Sequence, residues 1–253
     1  MQTAPQYLEQ GDGTRLAFCR TDGTLPEVVF LPGFRSDMTG AKAVRLDAHC
    51  RKAGRAFTRF DYRGHGASSG RFEDGAVGDW LADTLAVLDR IVAGRPCVLA
   101  GSSMGGWLAL LAALARPGQV RGLVGIAAAP DFTEGLIRAR LSPGQAESLA
   151  RDGLFLAPSA YGDPIPITRR LMDDGAGHLL LRRATIPLRV PVHLLHGQED
   201  PDVPWQTSLT LAARLEGAAV TVELVKDGDH RLSREEDLRR IEAAVERVVA
   251  QSC

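Results

Sequence analysis

Short apolar segments alternate with longer segments of helical period along most of this 253-residue chain. Two of them, 7–10 and 15–20, flank Gly11-Asp12-Gly13 and predict an antiparallel hairpin. Further strands are predicted at 28–31, 56–60, 97–101, 122–127, 191–196 and 220–225, and helices near 40–53, 77–93, 104–115, 205–215 and 233–250. Ser233 and Glu236 form a capping-box pattern at the start of the last helix. The alternation predicts an α/β protein with an eight-stranded, mostly parallel sheet.

An insertion separates the sixth and seventh predicted strands, because the stretch between them is longer than a tight crossover needs. It spans about 131–186, and we expect short helices in it, between its prolines. Open α/β sheets bind ligands at the carboxyl ends of their strands, so we expect a small cap there. A structural elaboration without substrate contact is the alternative. We expect residues 1–253 to form a single domain that carries this cap.

The segment VLAGSSMGGWLAL, residues 98–110, joins a predicted strand to a predicted helix and contains the pattern G-x-S-x-G. Ser103 is its central residue, and Gly101 and Gly105 are the small neighbours that a strained turn requires. Such a turn exposes the serine oxygen at a helix N-terminus, where the Met104 N–H can stabilise an oxyanion. A small-residue helix start is the alternative for the pattern alone. The strand and helix around it favour a nucleophile elbow.

A serine nucleophile needs a base at neutral pH, so we expect a histidine at the same edge of the sheet. His230 lies in a loop just past the last predicted strand and is the strongest of six candidates. His65, in DYRGHGASSG after the fourth strand, is the serious competitor. The remaining histidines are His49 in a predicted helix, His178 in the insertion, and His193 and His196, which we expect to pack or hydrogen-bond locally.

The base needs a carboxylate to fix its tautomer and to stabilise the imidazolium. HGQEDPDVP, after the seventh strand, supplies Glu199, Asp200 and Asp202. Asp200 lies four residues past the strand end and is our candidate, with Asp131 after the sixth strand as a possible substitute. A solvated loop charge is the alternative for each carboxylate. The order Ser103, Asp200, His230 is the order of catalytic triads in the α/β-hydrolase fold.

A second oxyanion donor is expected from LPGFRSDMTG, the loop after the third strand. Gly33 allows close approach of the backbone, so the Phe34 N–H is the candidate, paired with the Met104 N–H. An ordinary turn is the alternative. Candidate substrate contacts are Phe34, Trp205 and the apolar residues of the insertion, Phe132, Leu136, Ile137, Leu154, Phe155, Leu156 and Ile167.

Charge and cysteine content narrow the possible partners. The formal net charge is −1, with 30 Lys plus Arg and 31 Asp plus Glu scattered along the chain, which argues against a nucleic-acid partner. Four cysteines lack metal-type spacing, and we expect no metal, no organic cofactor and a reducing compartment.

We see no apolar run of membrane-spanning length and no signal peptide, so we expect a cytoplasmic protein. The preference for Arg over Lys is typical of a GC-rich bacterial genome.

The segments LPGF, FDYRGHGASSG, GSSMGG, HGQEDPDVP and GDHR resemble serine hydrolases of the α/β-hydrolase superfamily. LPGFRSDMTGAKA, GSSMGGWLAL and LLHGQEDPDVPWQTS are similar, more narrowly, to the family of acyl-glucuronide esterases and palmitoyl-protein thioesterases. The resemblance implies Ser103, Asp200 and His230 as the triad. It also implies cleavage of O-acyl and S-acyl esters, in a small molecule or an S-acylated protein or peptide.

Several functions stay open at this point. Pro32-Gly33 stands where many oxyanion loops have His-Gly, which leaves the backbone donor intact. Ser103 at the elbow disfavours dehalogenase and epoxide hydrolase chemistry, because those relatives use Asp there. A peptidase, a lactonase and a carbon–carbon bond hydrolase are alternatives within the superfamily. A noncatalytic ligand receptor is the alternative from another class, and the oligomeric state is left open.

Overall fold

The structure, a computed structural model, describes residues 4–158 and 163–252. Residues 1–3 of the polar start, 159–162 of the insertion and Cys253 lie outside the described residues. The strands are β1 (Gln6–Glu9), β2 (Arg15–Thr21), β3 (Thr24–Leu31), β4 (Arg55–Phe60), β5 (Cys97–Ser102), β6 (Val120–Ile126), β7 (Leu154–Ala157), β8 (Ile165–Thr168), β9 (Val192–Gly197) and β10 (Val220–Val225). The helices are α1 (Ala41–Lys52), α2 (Val77–Arg90), α3 (Met104–Ala115), α4 (Pro143–Asp152), α5 (Arg169–Gly175), α6 (Gln206–Arg214) and α7 (Glu235–Gln251).

Eight strands form one sheet in the order β1-β2-β4-β3-β5-β6-β9-β10. The pairs β1/β2 and β2/β4 are antiparallel, and the other neighbours are parallel. The predicted eight-stranded, mostly parallel sheet is therefore confirmed. Within the described part of the chain, no helix is both long and apolar enough to cross a membrane.

Helices cover both faces of the sheet. Successive side chains on a strand point to opposite faces, so β3 contributes Val28 and Phe30 to the core that contains α1 and α7. It contributes Val29 and Leu31 to the core that contains α2 and α3. The sequence of α3, MGGWLALLAALA, is apolar on all sides, which is typical of a buried central helix. This packing holds the start of α3 firmly against the end of β5.

The capping-box prediction at Ser233 and Glu236 is wrong. α7 begins at Glu235, and the backbone N–H of Arg234 donates to the carboxylate of Asp237 at 3.2 Å. The Arg234 guanidinium also donates to that carboxylate, at 2.9 Å. Asp237 is fully buried and accepts both bonds, so it takes the role that the pattern gave to Glu236.

The segment 131–186 lies between β6 and β9 and contains more than the short helices that we predicted. β7 and β8 form an antiparallel hairpin in which Phe155 lies opposite Ile167 and Leu156 opposite Pro166. Four-residue strands carry too little alternation to be recognised, and a proline argues against a strand. The Asp131 carboxylate accepts the N–H groups of Leu180 at 2.8 Å and Leu181 at 2.7 Å. It thereby ties together the two ends of the segment.

Candidate active site

Ser103 lies between β5 and α3 in a conformation that is unusual for a residue with a side chain. Its φ is 53° and its ψ is −118°, in the positive-φ region where most side chains are strained. Its N–H donates to the Ile126 carbonyl at 2.9 Å, and its carbonyl accepts from the N–H of Ala129 at 3.1 Å. These bonds to the end of β6 hold the turn, and Ser103 itself is partly exposed.

The two glycines of the pattern are needed because backbones come close on both sides of Ser103. A Cβ on Gly101 would collide with the carbonyl of Gly105. A Cβ on Gly105 would collide with the carbonyls of Leu31 and Pro32, at the end of β3. The predicted nucleophile elbow is therefore the geometry that this segment adopts.

His230 connects Ser103 to Asp200. Its Nε2 lies 3.1 Å from the Ser103 Oγ, and its Nδ1 lies 2.7 Å from the Asp200 Oδ2. An ionised carboxylate only accepts hydrogen bonds, so Nδ1 carries the hydrogen and Nε2 is left to accept that of the serine hydroxyl. The side chain of Asp200 is fully buried, and that of His230 is 16% exposed. The structure thus brings together the three residues that the sequence predicted as a triad.

The loop after β9 holds the carboxylate of Asp200 in place. Its Oδ1 accepts the backbone N–H groups of Asp202 and Val203, both at 2.8 Å. Burial alone would raise the pKa of Asp200, but hydrogen bonds from His196 and His230 outweigh burial and hold that pKa well below its ordinary value. Asp200 therefore stays ionised at neutral pH.

The other candidate acids, Glu199, Asp202 and Asp131, differ from Asp200 in their surroundings. Glu199 is exposed, and Asp202 supplies a backbone N–H to Asp200. Asp131 uses both carboxylate oxygens on Leu180 and Leu181, as described above. Among the four candidate acids, Asp200 is the one whose carboxylate hydrogen-bonds His230, at 2.7 Å.

His65, the competing base, has both ring nitrogens engaged away from Ser103. Nδ1 lies 3.2 Å from the Arg63 carbonyl, so it donates there, and Nε2 accepts the backbone N–H of Arg35 at 3.3 Å. Burial lowers the pKa of His65 to about 4, which keeps the ring neutral. Three of the other histidines pair with carboxylates elsewhere: His49 with Glu246, His178 with Asp174 and His193 with Glu223.

The loop after β3 lies directly against the elbow. A Cβ built on Gly33 would lie 3.3 Å from the Ser102 carbonyl oxygen and 3.4 Å from the Ser103 Cβ. Phe34 follows Gly33 in this loop. Met104 is the first residue of α3, so its N–H has no partner within the helix. The predicted oxyanion donors therefore belong to two backbone segments that meet beside Ser103.

A cavity of about 590 Å³ opens beside Ser103 and His230. Phe34 forms part of its apolar wall and contacts Phe132 of the 131–186 segment, with ring centroids 5.3 Å apart. Aliphatic side chains of the segment also line this wall, among them Leu136, Ile137, Ile165 and Ile167. Ser36, Lys42 and Arg231 lie on the polar side.

The sequence identified only part of this wall. Phe132, Leu136, Ile137 and Ile167 line the cavity as expected, and Ala157 and Ile165 line it without having been predicted. Leu154 and Leu156 are 39% and 60% exposed, because they lie on the outer face of the hairpin, and Phe155 is buried in the core. A period of two along β7 is the signal that separates these faces.

Trp205 is not among the described residues that line the cavity. The chain turns into α6 directly after Pro204, so Val203, not Trp205, faces the cavity. The prediction that Trp205 contacts substrate therefore finds no support in this geometry.

Within residues 4–158 and 163–252, one cluster of side chains of the kinds that bind metal ions lies at the site. The ligand atoms of Asp200, Asp202 and His230 lie within 4.8 Å of one another. Asp200 and His230 already bind each other, and the second nitrogen of His230 faces Ser103. The arrangement favours proton transfer over ion binding.

Comparison with known proteins places the chain in a family. The model of the "Alpha/beta hydrolase family" matches residues 28–244. The chain is 38% identical over 245 residues to "Palmitoyl-protein thioesterase ABHD10, mitochondrial" of Mus musculus, covering 96% of this chain and 82% of that protein. The structure of "Alpha/beta hydrolase domain-containing protein 10 from mouse" matches with a TM-score of 0.90 and 37% identity, covering 98% of this chain and 99% of that chain.

A bacterial structure is similarly close. A putative hydrolase from Agrobacterium vitis S4 matches with a TM-score of 0.91 and 40% identity, covering 97% of each chain. The resemblance that the motifs indicated is confirmed by these matches. This chain is therefore a hydrolase that belongs to the alpha/beta hydrolase family.

Proposed function

We propose that this protein hydrolyses acyl esters and thioesters, with Ser103, His230 and Asp200 as its catalytic triad. The observation that carries the proposal is the hydrogen-bond chain from Asp200 through His230 to Ser103, which ends at an apolar cavity. The name of the mouse relative, a palmitoyl-protein thioesterase, supports the thioester part of the proposal.

Acylation begins when the Ser103 Oγ attacks the acyl carbon. His230 Nε2, 3.1 Å away, takes the hydroxyl proton, and the buried Asp200 carboxylate stabilises the imidazolium that forms. The oxyanion of the tetrahedral intermediate accepts from the N–H groups of Phe34 and Met104. The loss of one such donor costs about 2.7–4 kcal/mol in the transition state.

His230 then delivers its proton to the leaving thiolate or alkoxide as the tetrahedral intermediate collapses to an acyl-enzyme on Ser103. In the second half of the reaction, His230 takes a proton from water, and the resulting hydroxide attacks the acyl carbon. The carboxylic acid leaves, and Ser103 recovers its proton. These steps use groups of the chain and water alone, so they need no metal and no organic cofactor.

The acyl group lies, in this proposal, against the apolar wall formed by Phe34 and the 131–186 segment, which acts as a cap over the single domain. Each buried CH₂ contributes up to about 0.8 kcal/mol to binding. Thioesters and oxygen esters pass through the same oxyanion. Amides need more protonation of the leaving group, so we expect them to react slowly.

The proposal extends to the substrate class and to the location of the protein. The substrate is a small molecule or an S-acylated protein or peptide. The curated relative carries "mitochondrial" in its name, so a cytoplasmic location and a bacterial source stay predictions of the sequence alone.

A fluorophosphonate probe combined with a substrate panel tests the proposal. We expect rapid labelling of the wild type, none of Ser103→Ala, and retained labelling of Ser102→Ala, which removes the neighbouring hydroxyl. The panel consists of O-esters, thioesters, acyl glucuronides, lactones and amides with the same acyl group. Failure to label the folded wild type would favour a receptor, and faster turnover of amides or lactones would favour the other hydrolase activities.

A further inference from the structure

His196, the penultimate residue of β9, is a fully buried histidine that the proposed reaction steps do not use. Its Nε2 lies 3.2 Å from the Asp200 Oδ2 and 3.1 Å from the Val203 carbonyl oxygen. Its Nδ1 lies 2.7 Å from the Oγ of Ser208, a residue of α6 that is 1% exposed. A fully buried imidazole thus contacts the same oxygen of Asp200 as His230 does.

The partners of His196 fix where its hydrogen lies. A carboxylate and a carbonyl oxygen only accept, so Nε2 carries the hydrogen and donates it to Asp200 and Val203. Nδ1 is then an acceptor, and the Ser208 hydroxyl donates to it. Ser208 therefore selects the tautomer of His196 that can donate to Asp200.

The Asp200 carboxylate consequently accepts four hydrogen bonds. Its Oδ1 takes the two backbone N–H groups already described, and its Oδ2 takes the N–H groups of His196 and His230. A carboxylate has about four lone-pair sites, so this set fixes its orientation completely. The oxygen that stabilises the His230 imidazolium is the one that His196 shares.

We propose that His196, held by Ser208, is a positioning residue that orients Asp200 and limits the basicity of His230 by sharing the same carboxylate oxygen. The inference rests on the proposed function, because it assigns His230 as the base. Without the His196 N–H, Oδ2 attracts the imidazolium more strongly and His230 holds its proton to higher pH.

The other charged residues that line the cavity with His230 are Arg35, Asp37, Lys42, Asp163, Asp202 and Arg231. Asp202 comes from the same loop as Asp200 and lies within the same cluster as His230. Lys42 of α1 and Arg231, the residue after His230, line the cavity, and the Lys42 ammonium donates to the Arg231 carbonyl at 2.5 Å. None of these residues changes in the variants below.

The experiment measures kcat/KM against pH for a thioester substrate with wild type, His196→Leu, His196→Gln and Ser208→Ala. We expect the acid limb of His196→Leu to move to higher pH, so that the ratio of kcat/KM at pH 8 to that at pH 5.5 rises about threefold or more. His196→Gln keeps a side-chain N–H near the position of Nε2, so its acid limb lies close to that of the wild type. Ser208→Ala shifts the limb in the same direction as His196→Leu, by less.

A purely structural role predicts a different result. In that case kcat/KM of His196→Leu falls by the same factor at every pH, and the acid limb stays in place, which would overturn the proposal. An equal shift in His196→Gln would also overturn it, because the N–H would not be the cause. If His196→Leu does not fold, Ser208→Ala replaces it in the test. An acid limb of kcat/KM that stays at the wild-type pH in Ser208→Ala would then overturn the proposal. Turnover by Ser103→Ala in this assay would instead refute the proposed function itself.

Discussion

His65 accepts a hydrogen bond from the backbone N–H of Arg35, one residue beyond the proposed oxyanion donor Phe34, at 3.3 Å. Its ring packs edge-on against the rings of Tyr62, Phe72 and Trp80. Arg35 has a φ of 55°, so this hydrogen bond supports a strained turn. The histidine that competes with His230 in the sequence therefore supports, in the structure, the loop that carries the proposed oxyanion donor Phe34.

Replacement of His65 tests whether this residue supports the loop of Phe34 or acts as the catalytic base. His65→Phe keeps an aromatic ring but removes the acceptor for the Arg35 N–H, so we expect kcat/KM to fall about tenfold to hundredfold, less than for a lost oxyanion donor. We expect slower but complete fluorophosphonate labelling of this variant. His230→Ala should instead lower kcat by a factor on the order of 10⁴ or more. Near-wild-type hydrolysis by folded His230→Ala, with activity lost in folded His65→Phe, would contradict His230 as the base and favour His65.

The sequence predicted the sheet and the placement of Ser103, Asp200 and His230 beside one another because each rests on a local signal. Strand ends, small residues around Ser103 and the loops of Asp200 and His230 follow from chain order and spacing. The role of His196 depends on a contact with α6 and on which way a buried ring points, and no local pattern encodes either. β7 and β8 escaped prediction because short strands beside prolines lack a clear period.

Ser103 and His230, as members of the proposed triad, should act as a unit. We expect Ser103→Ala and His230→Ala each to lower kcat by a factor on the order of 10⁴ or more, and the double variant to be little worse than either single variant. Steady-state kinetics on one thioester, with folding checked by circular dichroism, gives the three values. Losses that multiply in the double variant would show that the two residues act independently.

Two aspartates provide a matched comparison of catalysis and stability. Asp200→Asn forces a wrong tautomer on His230, so we expect kcat to fall about 10⁴-fold. Asp131→Asn tolerates the φ of 59° but loses one acceptor for the buried N–H groups of Leu180 and Leu181, so we expect a loss of about 1–3 kcal/mol in the free energy of unfolding. Its kcat should stay close to the wild-type value. A collapse of kcat in folded Asp131→Asn would reinstate Asp131 as the acid.

If the cavity binds the acyl group, kcat/KM should depend on the length of the acyl chain. We expect kcat/KM for p-nitrophenyl esters and S-acyl peptides to rise up to about fourfold per CH₂ until the cavity is full. Leu136→Trp narrows the cavity, so its optimum should move to shorter chains. Leu156→Trp, on the outer face of the hairpin, is the control and should keep the wild-type profile. A flat wild-type profile, or equal effects of the two variants, would refute the acyl pocket.

Mass analysis of the protein, quenched during turnover of an S-acyl peptide, tests most directly whether Ser103 carries the acyl group. We predict that the acyl mass appears on the proteolytic peptide that contains Ser103, together with a burst of free thiol, and that Ser103→Ala shows neither. Turnover accompanied by an acyl mass on a different residue, or a thiol burst that persists in Ser103→Ala, would contradict the account.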